Sequence, residues 1–274
     1  MAAHERGAGG RWRARKTGSV HRLLSGFVTD VATFDDPSFY GNRWAGVYDE
    51  HHADLDPAAA AEFLAGLAGG GRVLELAIGT GRVALPLAGR GIAVEGVDAS
   101  AAMVERLRAK PGGASIPVTI GDMAEVPVSG PFTLVYLVFN TLFGLLTQAR
   151  QAGCFRNVAQ ALGPDGVFVI ECFVPDLARY DRDQRVQTLA VTEVSATVEL
   201  SRHDPAGQRV TTQIVTLDGQ GMHLHPVALR YSWPSELDLM AGQADLRLRE
   251  RYSDWDRQPF DSGSGKHVSV YQRT

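Results

Sequence analysis

Arg72-Val-Leu-Glu-Leu-Ala-Ile-Gly-Thr-Gly-Arg82, followed by Val94-Glu-Gly-Val-Asp98, is the stretch that decides the fold. An apolar run ends in an acid, Glu75, and a pair of glycines, Gly79 and Gly81; a second apolar run ends in another acid, Asp98. A buried strand that runs through a glycine-rich turn into a helix brings backbone N–H groups against a ligand with no side chain in the way. A carboxylate at the end of the next strand can take both hydroxyls of a ribose. The pattern predicts a nucleoside site.

Two nucleosides compete for it. Gly79-Thr-Gly-Arg-Val-Ala84 fits the G-x-G-x-x-A dinucleotide fingerprint, which places a pyrophosphate on the helix N-terminus and implies an NAD(P)-binding oxidoreductase. The other is S-adenosylmethionine, which has no phosphate and whose methionine end carries an ammonium. Glu75 suits that ammonium and would oppose a pyrophosphate. Further on, Val118-Thr-Ile-Gly-Asp-Met123 closes a third apolar run with Gly-Asp, fit to accept from an adenine amino group. Three acids at three successive strand ends favour S-adenosylmethionine. Each acid taken singly has a plainer reading: Asp98 capping the next helix, Asp122 a solvated strand end.

The chain resembles the class I S-adenosylmethionine-dependent methyltransferases. The residues that carry the resemblance are Glu75-Leu-Ala-Ile-Gly-Thr-Gly-Arg82, Gly96-Val-Asp-Ala-Ser100 with Met103, Gly121-Asp-Met123, Phe132-Thr-Leu-Val-Tyr136 and Leu162-Gly-Pro-Asp-Gly166. It is dense over about residues 38–175 and looser in the tail. Ala77 departs from the family, which often has its first glycine there. The resemblance implies a Rossmann-like, doubly wound α/β sheet, mostly parallel with an antiparallel last strand. It also implies an antiparallel β insertion, about 181–232, that covers the active site as in small-molecule members such as the antibiotic-pathway sugar N- and O-methyltransferases.

Local signals agree with that frame. Asp56-Pro57 opens a helix, Thr147 caps another, and Gly163-Pro-Asp-Gly166 stops it. Near-continuous apolar strands are expected at 72–76, 93–98, 117–120, 132–138 and 167–173, with helices at 81–88 and 100–109, as in a sheet covered on both faces. Beyond Pro175 the expectation is three strands, Gln187–Leu200, Gln208–Leu217 and Met222–Ser232, then a helix from Pro234 and two closing strands.

Composition adds limits. The 274 residues are 45% hydrophobic and 21% charged, with 27 basic against 31 acidic side chains, a net charge of −4. No apolar run approaches the ~20 residues of a membrane span, and two cysteines, Cys154 and Cys172, indicate no disulfide framework, so a reducing cytoplasm is expected. The first 26 residues hold six Lys/Arg and one Glu, predicting a basic, disordered tail over residues 1–30 ahead of one domain, 31–274. A nucleic-acid arm or a transit peptide are the sharper readings of that tail; the acidic body opposes a broad phosphate-binding face.

Ligands sit at the carboxyl ends of parallel strands in such sheets. Gly79, Thr80, Gly81 and Arg82, with Glu75 and Ala77, are therefore expected around the methionine and ribose. Asp98 is expected on the ribose hydroxyls, Ala99, Met103, Asp122 and Met123 at the adenine, and Phe139 and Asn140 beside the sulfonium. Tyr40 and Trp44 are expected to close over the methionine end. The reaction implied is in-line methyl transfer to an oxygen or nitrogen of a small, natural-product-like molecule. His223 and His225, two apart on one strand, are the candidate bases, with Asn140 and Tyr231 as orienting groups; both histidines on a cover layer could equally be surface residues. His267 is a weaker candidate, His51-His52 beside Asp54 is the nearest approach to a metal box, and no metal is expected. Asn140-Thr-Leu-Phe143 lacks the proline and tyrosine of an N-P-P-Y nucleic-acid motif. A protein or nucleic-acid methyltransferase and a non-catalytic cofactor-binding subunit are the remaining alternatives. The expected partners are a small-molecule substrate and, at most, a second copy in a homodimer, without nucleic acid or membrane.

Overall fold

The computed structural model describes residues 34–274; the basic tail expected over 1–30 lies outside the described residues. Short helices α1 (Phe39–Trp44) and α2 (Tyr48–His51) precede α3 (Ala58–Leu67). Then β1 (Val73–Leu76), α4 (Ala84–Gly89), β2 (Val94–Asp98), α5 (Ala101–Arg108), β3 (Val118–Ile120), β4 (Phe132–Leu137), α6 (Gln148–Ala161) and β5 (Leu162–Phe173) alternate strand and helix. Strands β6 (Gln184–Val191), β7 (Ala196–Asp204), β8 (Arg209–Asp218) and β9 (Gly221–Arg230) follow, and α7 (Pro234–Gly242), β10 (Leu246–Tyr252) and β11 (Lys266–Arg273) close the chain.

The main sheet has the order β10-β11-β5-β4-β1-β2-β3. Strands β1 to β5 pair in parallel and β11 enters antiparallel beside β5, as the resemblance implied. Side chains alternate across it. Val135 and Leu137 of β4 point into the layer filled by α6 and α7, and Leu134 and Tyr136 into the layer filled by α3 and α4. Burial on both faces is why the strands read as unbroken apolar runs. The order reverses between β1 and β4, and there the carboxyl ends open a crevice.

The second sheet is an antiparallel meander, β6-β7-β8-β9. It corrects the expectation of three strands. The run expected as one strand over 187–200 is two, folded at Thr192–Ser195, where Thr192 Oγ1 accepts from the amides of Val194 and Ser195. Neither glycine nor proline marks that turn; the threonine hydroxyl supplies the hydrogen bonds instead. Strand β5 also begins earlier than expected, at Leu162, because the Gly-Pro-Asp-Gly segment stops α6 yet still pairs with β4.

A polar knot fastens the meander to α6 and α7 beside the main sheet. Buried Arg230, the last residue of β9, donates to Glu236 Oε1 (2.7 Å), Gln208 Oε1 (2.9 Å), Gln151 Oε1 (2.8 Å) and Ser232 Oγ (2.8 Å). Gln151 of α6 returns a bond to the Arg230 carbonyl at 2.7 Å. No described helix is long and apolar enough to cross a membrane.

Candidate functional site

The turn after β1 is built from left-handed backbone. Ala77, Gly79 and Gly81 have φ of 52°, 57° and 79°. Ala77 thus occupies the glycine-type conformation where the family often has glycine, at some cost in strain. Gly81 is fixed by space as well, since a Cβ there would lie 2.3 Å from Leu107 Cδ1. The turn aims the Gly79 amide at Asp98 Oδ2 (2.7 Å), while the Ser100 amide reaches Asp98 Oδ1 (2.8 Å). Asp98 therefore orders the next helix start and still lines the cavity; burial pushes its carboxyl above the usual range.

That cavity, about 320 Å³, runs from the ends of β1, β2 and β4 to the edge of β9. Of the expected site residues, Tyr40, Trp44, Ala77, Gly79, Asp98, Ala99, Met103, Asp122, Met123, Phe139 and Asn140 line it. A side chamber of about 30 Å³ adds Glu75, Thr80 and Arg82. Gly81 lies beneath the turn and lines neither. Asp122 reaches the wall already engaged, accepting from Arg150 and, at 2.9 Å, from the Ala124 amide.

The side chamber sets a buried acid against a cation. Glu75 is buried and accepts from Tyr136 Oη at 2.8 Å; burial pushes its carboxyl up to about 8. Arg82 Nε is buried without a hydrogen-bond partner, its guanidinium 5.1 Å from the Phe139 ring. A guanidinium with an unfilled N–H facing a buried acid fits the carboxylate and ammonium of an amino-acid end. Strand β4 exits through two successive left-handed residues, Phe139 and Asn140 (φ 57° and 63°). Their backbone is pinned by Glu171, whose Oε2 accepts from the Phe139 amide (2.9 Å), and by Asn140 Oδ1, which accepts from the Phe173 amide (2.6 Å).

The N-terminal segment forms the far wall. Tyr40 stacks on Trp44 at 5.6 Å, and Trp44 Nε1 donates to the Pro226 carbonyl of β9. Asp49, tied to Thr80 Oγ1 (2.6 Å) and Lys110 (2.8 Å), anchors this segment to the glycine turn. Ile214, Val227 and Leu229 complete the wall from the meander.

Three of the four catalytic candidates stand elsewhere. His223 sits at the β8–β9 hairpin against Asp218, exposed. Tyr231 lies past the end of β9, buried, its hydroxyl 2.9 Å from His203 Nε2. His225 is behind the wall, 4.9 Å from the Trp44 ring. Two-residue alternation does put both histidines on the face that carries Val227, but the cavity meets that face only from Val227 to Leu229 and at Ile214. His267 is buried against Ser269 Oγ (2.8 Å) on β11, its imidazole pushed down to about 4 by burial. Asn140 alone among the four reaches the wall, with its Oδ1 committed to the backbone.

The imidazoles on the wall are His51 and His52, which the sequence presented only as a weak metal pair. His52 Nδ1 lies 2.9 Å from the Tyr48 carbonyl and the ring meets Phe139 edge-on at 5.1 Å. A carbonyl only accepts, so Nδ1 carries the proton and Nε2 keeps a lone pair. Burial first, then the nearby His51 and Arg82, hold this imidazole below its ordinary value. The signal that pointed here was the aromatic run from Phe39 to Tyr48 leading into it.

Residues 73–166 match the methyltransferase domain family. The chain is similar to the CcbJ methyltransferase from Streptomyces caelestis, at 39% identity and a TM-score of 0.83 over 87% of this chain and 99% of that one. It is 25% identical to the cypemycin N-terminal methyltransferase of a Streptomyces species, over 87% of this chain and 99% of the relative. It shares its fold with S-adenosylmethionine-bound CalS10 from Micromonospora echinaspora, an amino pentose methyltransferase, at 23% identity and a TM-score of 0.60 over 81% and 91% of the two chains.

Proposed function

The chain belongs to the class I S-adenosylmethionine-dependent methyltransferases, and on that premise we propose that it methylates an amine nitrogen of a small, partly apolar natural product. When bound, S-adenosylmethionine supplies an electrophilic methyl group and a neutral thioether leaving group. The residues present fit it: Arg82 and Glu75 for the amino-acid end, Asp98 for the ribose hydroxyls, Met103 and Met123 for the adenine. Their task is to hold nucleophile and methyl in line, for which effective molarities can supply ~7–11 kcal/mol.

The observation that carries the acceptor reading is the joining of two chemistries in one cavity. Its cofactor end is lined by carboxylates, and its other end by Tyr40, Trp44, Ile214, Val227 and Leu229. An apolar, aromatic pocket of this volume suits a compact molecule rather than a polymer. His52 supplies the proton step. An amine enters as an ammonium; the His52 Nε2 lone pair takes one proton, freeing the nitrogen pair for the methyl. The name of the cypemycin relative, an N-terminal methyltransferase, supports nitrogen over oxygen.

The test incubates purified full-length protein with S-adenosylmethionine and a panel of amino sugars and short peptides with free amino termini. Each is paired with its hydroxyl analogue, and S-adenosylhomocysteine release is followed by mass spectrometry. Turnover of amines alone is expected; turnover of the hydroxyl partners alone overturns the nitrogen reading. His52→Gln should lower turnover by ~10²-fold or more while S-adenosylhomocysteine affinity holds, the usual scale for loss of a general base.

A further inference from the structure

We propose that Glu171 is a positioning residue for the amino-acid end of S-adenosylmethionine, an inference that rests on assigning the side chamber to that end. The residue stands where an apolar side chain is expected. Alternation along β5 sends Val167 and Val169 into the layer shared with α3 and α4, and Glu171 falls on the same side. A carboxylate at the rim of such a layer is costly unless donors meet it. Three do, from three segments. The Phe139 amide donates to Oε2 (2.9 Å), and Trp255 Nε1 (3.0 Å) and Lys266 Nζ (3.5 Å) donate to Oε1.

The first of these donors belongs to the site. Phe139 and Asn140 are successive left-handed residues, neither of them glycine, and such backbone persists only where its surroundings over-determine it. Glu171 supplies two of the restraints: its side chain holds the Phe139 amide, and its own carbonyl accepts from the Asn140 amide at 3.0 Å. Any residue at this position could make the main-chain bond; the side-chain bond needs an acceptor of this length. Trp255 keeps the carboxylate turned toward Phe139, with its own indole packed edge-on against Phe63 of α3 at 5.4 Å.

The ring held by this turn stands between two functional groups. Phe139 lines both the main cavity and the side chamber. Arg82 lies over its face at 5.1 Å, and His52 meets it edge-on at 5.1 Å. Arg82 Nε is buried without a partner, so the Phe139 ring supports the guanidinium on that side. When the turn relaxes, the guanidinium loses that support and the amino-acid end loses its partner. Asp98, Met103 and Met123 stand on other elements and stay in place. The nucleoside part of the cofactor should not feel the change.

Calorimetry on the purified full-length chain tests this with two probes. One is S-adenosylhomocysteine; the other is 5′-methylthioadenosine, which keeps the nucleoside and the thioether but lacks the amino-acid end. Glu171→Gln conserves shape, yet its one oxygen cannot accept from both Phe139 and Trp255. A hydrogen bond to a charged group is worth roughly tenfold, so this variant should weaken S-adenosylhomocysteine at least about fivefold and 5′-methylthioadenosine less than about twofold. Equal weakening of both probes would mark a general loss of structure and overturn the positioning role. Arg82→Met is the reference for the chamber and should show the same selective loss. Selective loss in Arg82→Met without one in Glu171→Gln overturns the proposal alone; selective loss in neither overturns the assignment of the chamber as well. Should Glu171→Gln fail to fold, Trp255→Phe decides. It keeps a ring on Phe63, removes the indole donor, and should shift the ratio of the two affinities at least about threefold in the same direction. A smaller shift overturns the proposal.

Discussion

In the seven-stranded sheet each parallel strand sends alternate side chains into one of two apolar layers, whereas the four-stranded sheet mixes Ile214, Val227 and Leu229 with hydroxyls and an ion pair on its cavity side and leaves Val186, Val191, Leu217, Met222 and Leu224 open on the other. The first sheet is held by burial on both faces, the second by a polar knot at one corner. On the proposed reading the contrast divides the labour: an apolar frame presents strand ends to the cofactor, and a layer with a different chemistry of attachment closes the pocket over the acceptor.

The strongest way to break that comparison is at the knot. Arg230→Met removes the cation that Glu236, Gln208, Gln151 and Ser232 all bond. It leaves the half-buried Glu236 carboxylate without its cation and takes one donor each from Gln151, Gln208 and Ser232, and breaking such a pair by removing one partner typically costs ~3–5 kcal/mol. Urea denaturation followed by circular dichroism should report that loss. A loss below about 1 kcal/mol would mean the meander is held by its apolar contacts after all, as the main sheet is.

The frame itself holds an expensive group, and pH exposes it. Burial raises the Glu75 carboxyl in the folded protein to about 8. The folded state then binds a proton that the unfolded state has released, so stability falls as pH rises by about 1.4 kcal/mol per unit between the two values. The contribution is whole below the ordinary carboxylate range and is lost as pH passes the folded value. Unliganded protein should therefore weaken by a few kcal/mol between about pH 5 and pH 8, and Glu75→Gln should flatten that slope. Stability curves with equal slopes for both proteins would remove Glu75 from this role.

At the cofactor end, Asp98→Ala should weaken S-adenosylhomocysteine binding by more than about tenfold, or 1.4 kcal/mol, because two hydroxyls lose a charged acceptor and the Gly79 amide loses the group that aims it. Calorimetry gives the number directly; an unchanged affinity would reduce Asp98 to the helix-start role it also fills through Ser100.

How far all this could be read from residues follows the same division. Continuous apolar runs and acids at their ends announce a parallel sheet and its crevice, since both rest on local pattern: Glu75, Gly79 and Asp98 fall where their spacing put them. The meander was less legible because both of its faces carry apolar residues, Ile214, Val227 and Leu229 toward the cavity and Val191, Leu217 and Met222 open on the other side, so pattern alone does not say which face is the inner one. Thr192 makes a turn with no glycine or proline to mark it. His223 and His225 followed correct alternation onto a correct face, yet which part of that face meets the cavity depends on where Trp44 lies, almost two hundred residues away. His52 was hidden for a related reason. Its tautomer is set by the carbonyl of Tyr48 one helical turn earlier, and its proximity to Phe139 by a tertiary contact that no spacing encodes.

The smallest effect gives the finest test of the division. Ile214 belongs to the meander, packs beside Trp44 and Met103, and lines the cavity at its acceptor end. It is only partly buried, so Ile214→Ala removes three carbons that are already partly in water, and the loss should be about 1 kcal/mol rather than the ~2–5 of a full core site. No polar group of the cofactor end touches it, so S-adenosylhomocysteine affinity should stay within about twofold, under 0.5 kcal/mol. Acceptor selectivity should move instead, toward bulkier amines, because the wall retreats. Were Ile214→Ala to weaken S-adenosylhomocysteine as strongly as Asp98→Ala does, the two sheets would share one task, and the meander would be part of the cofactor site.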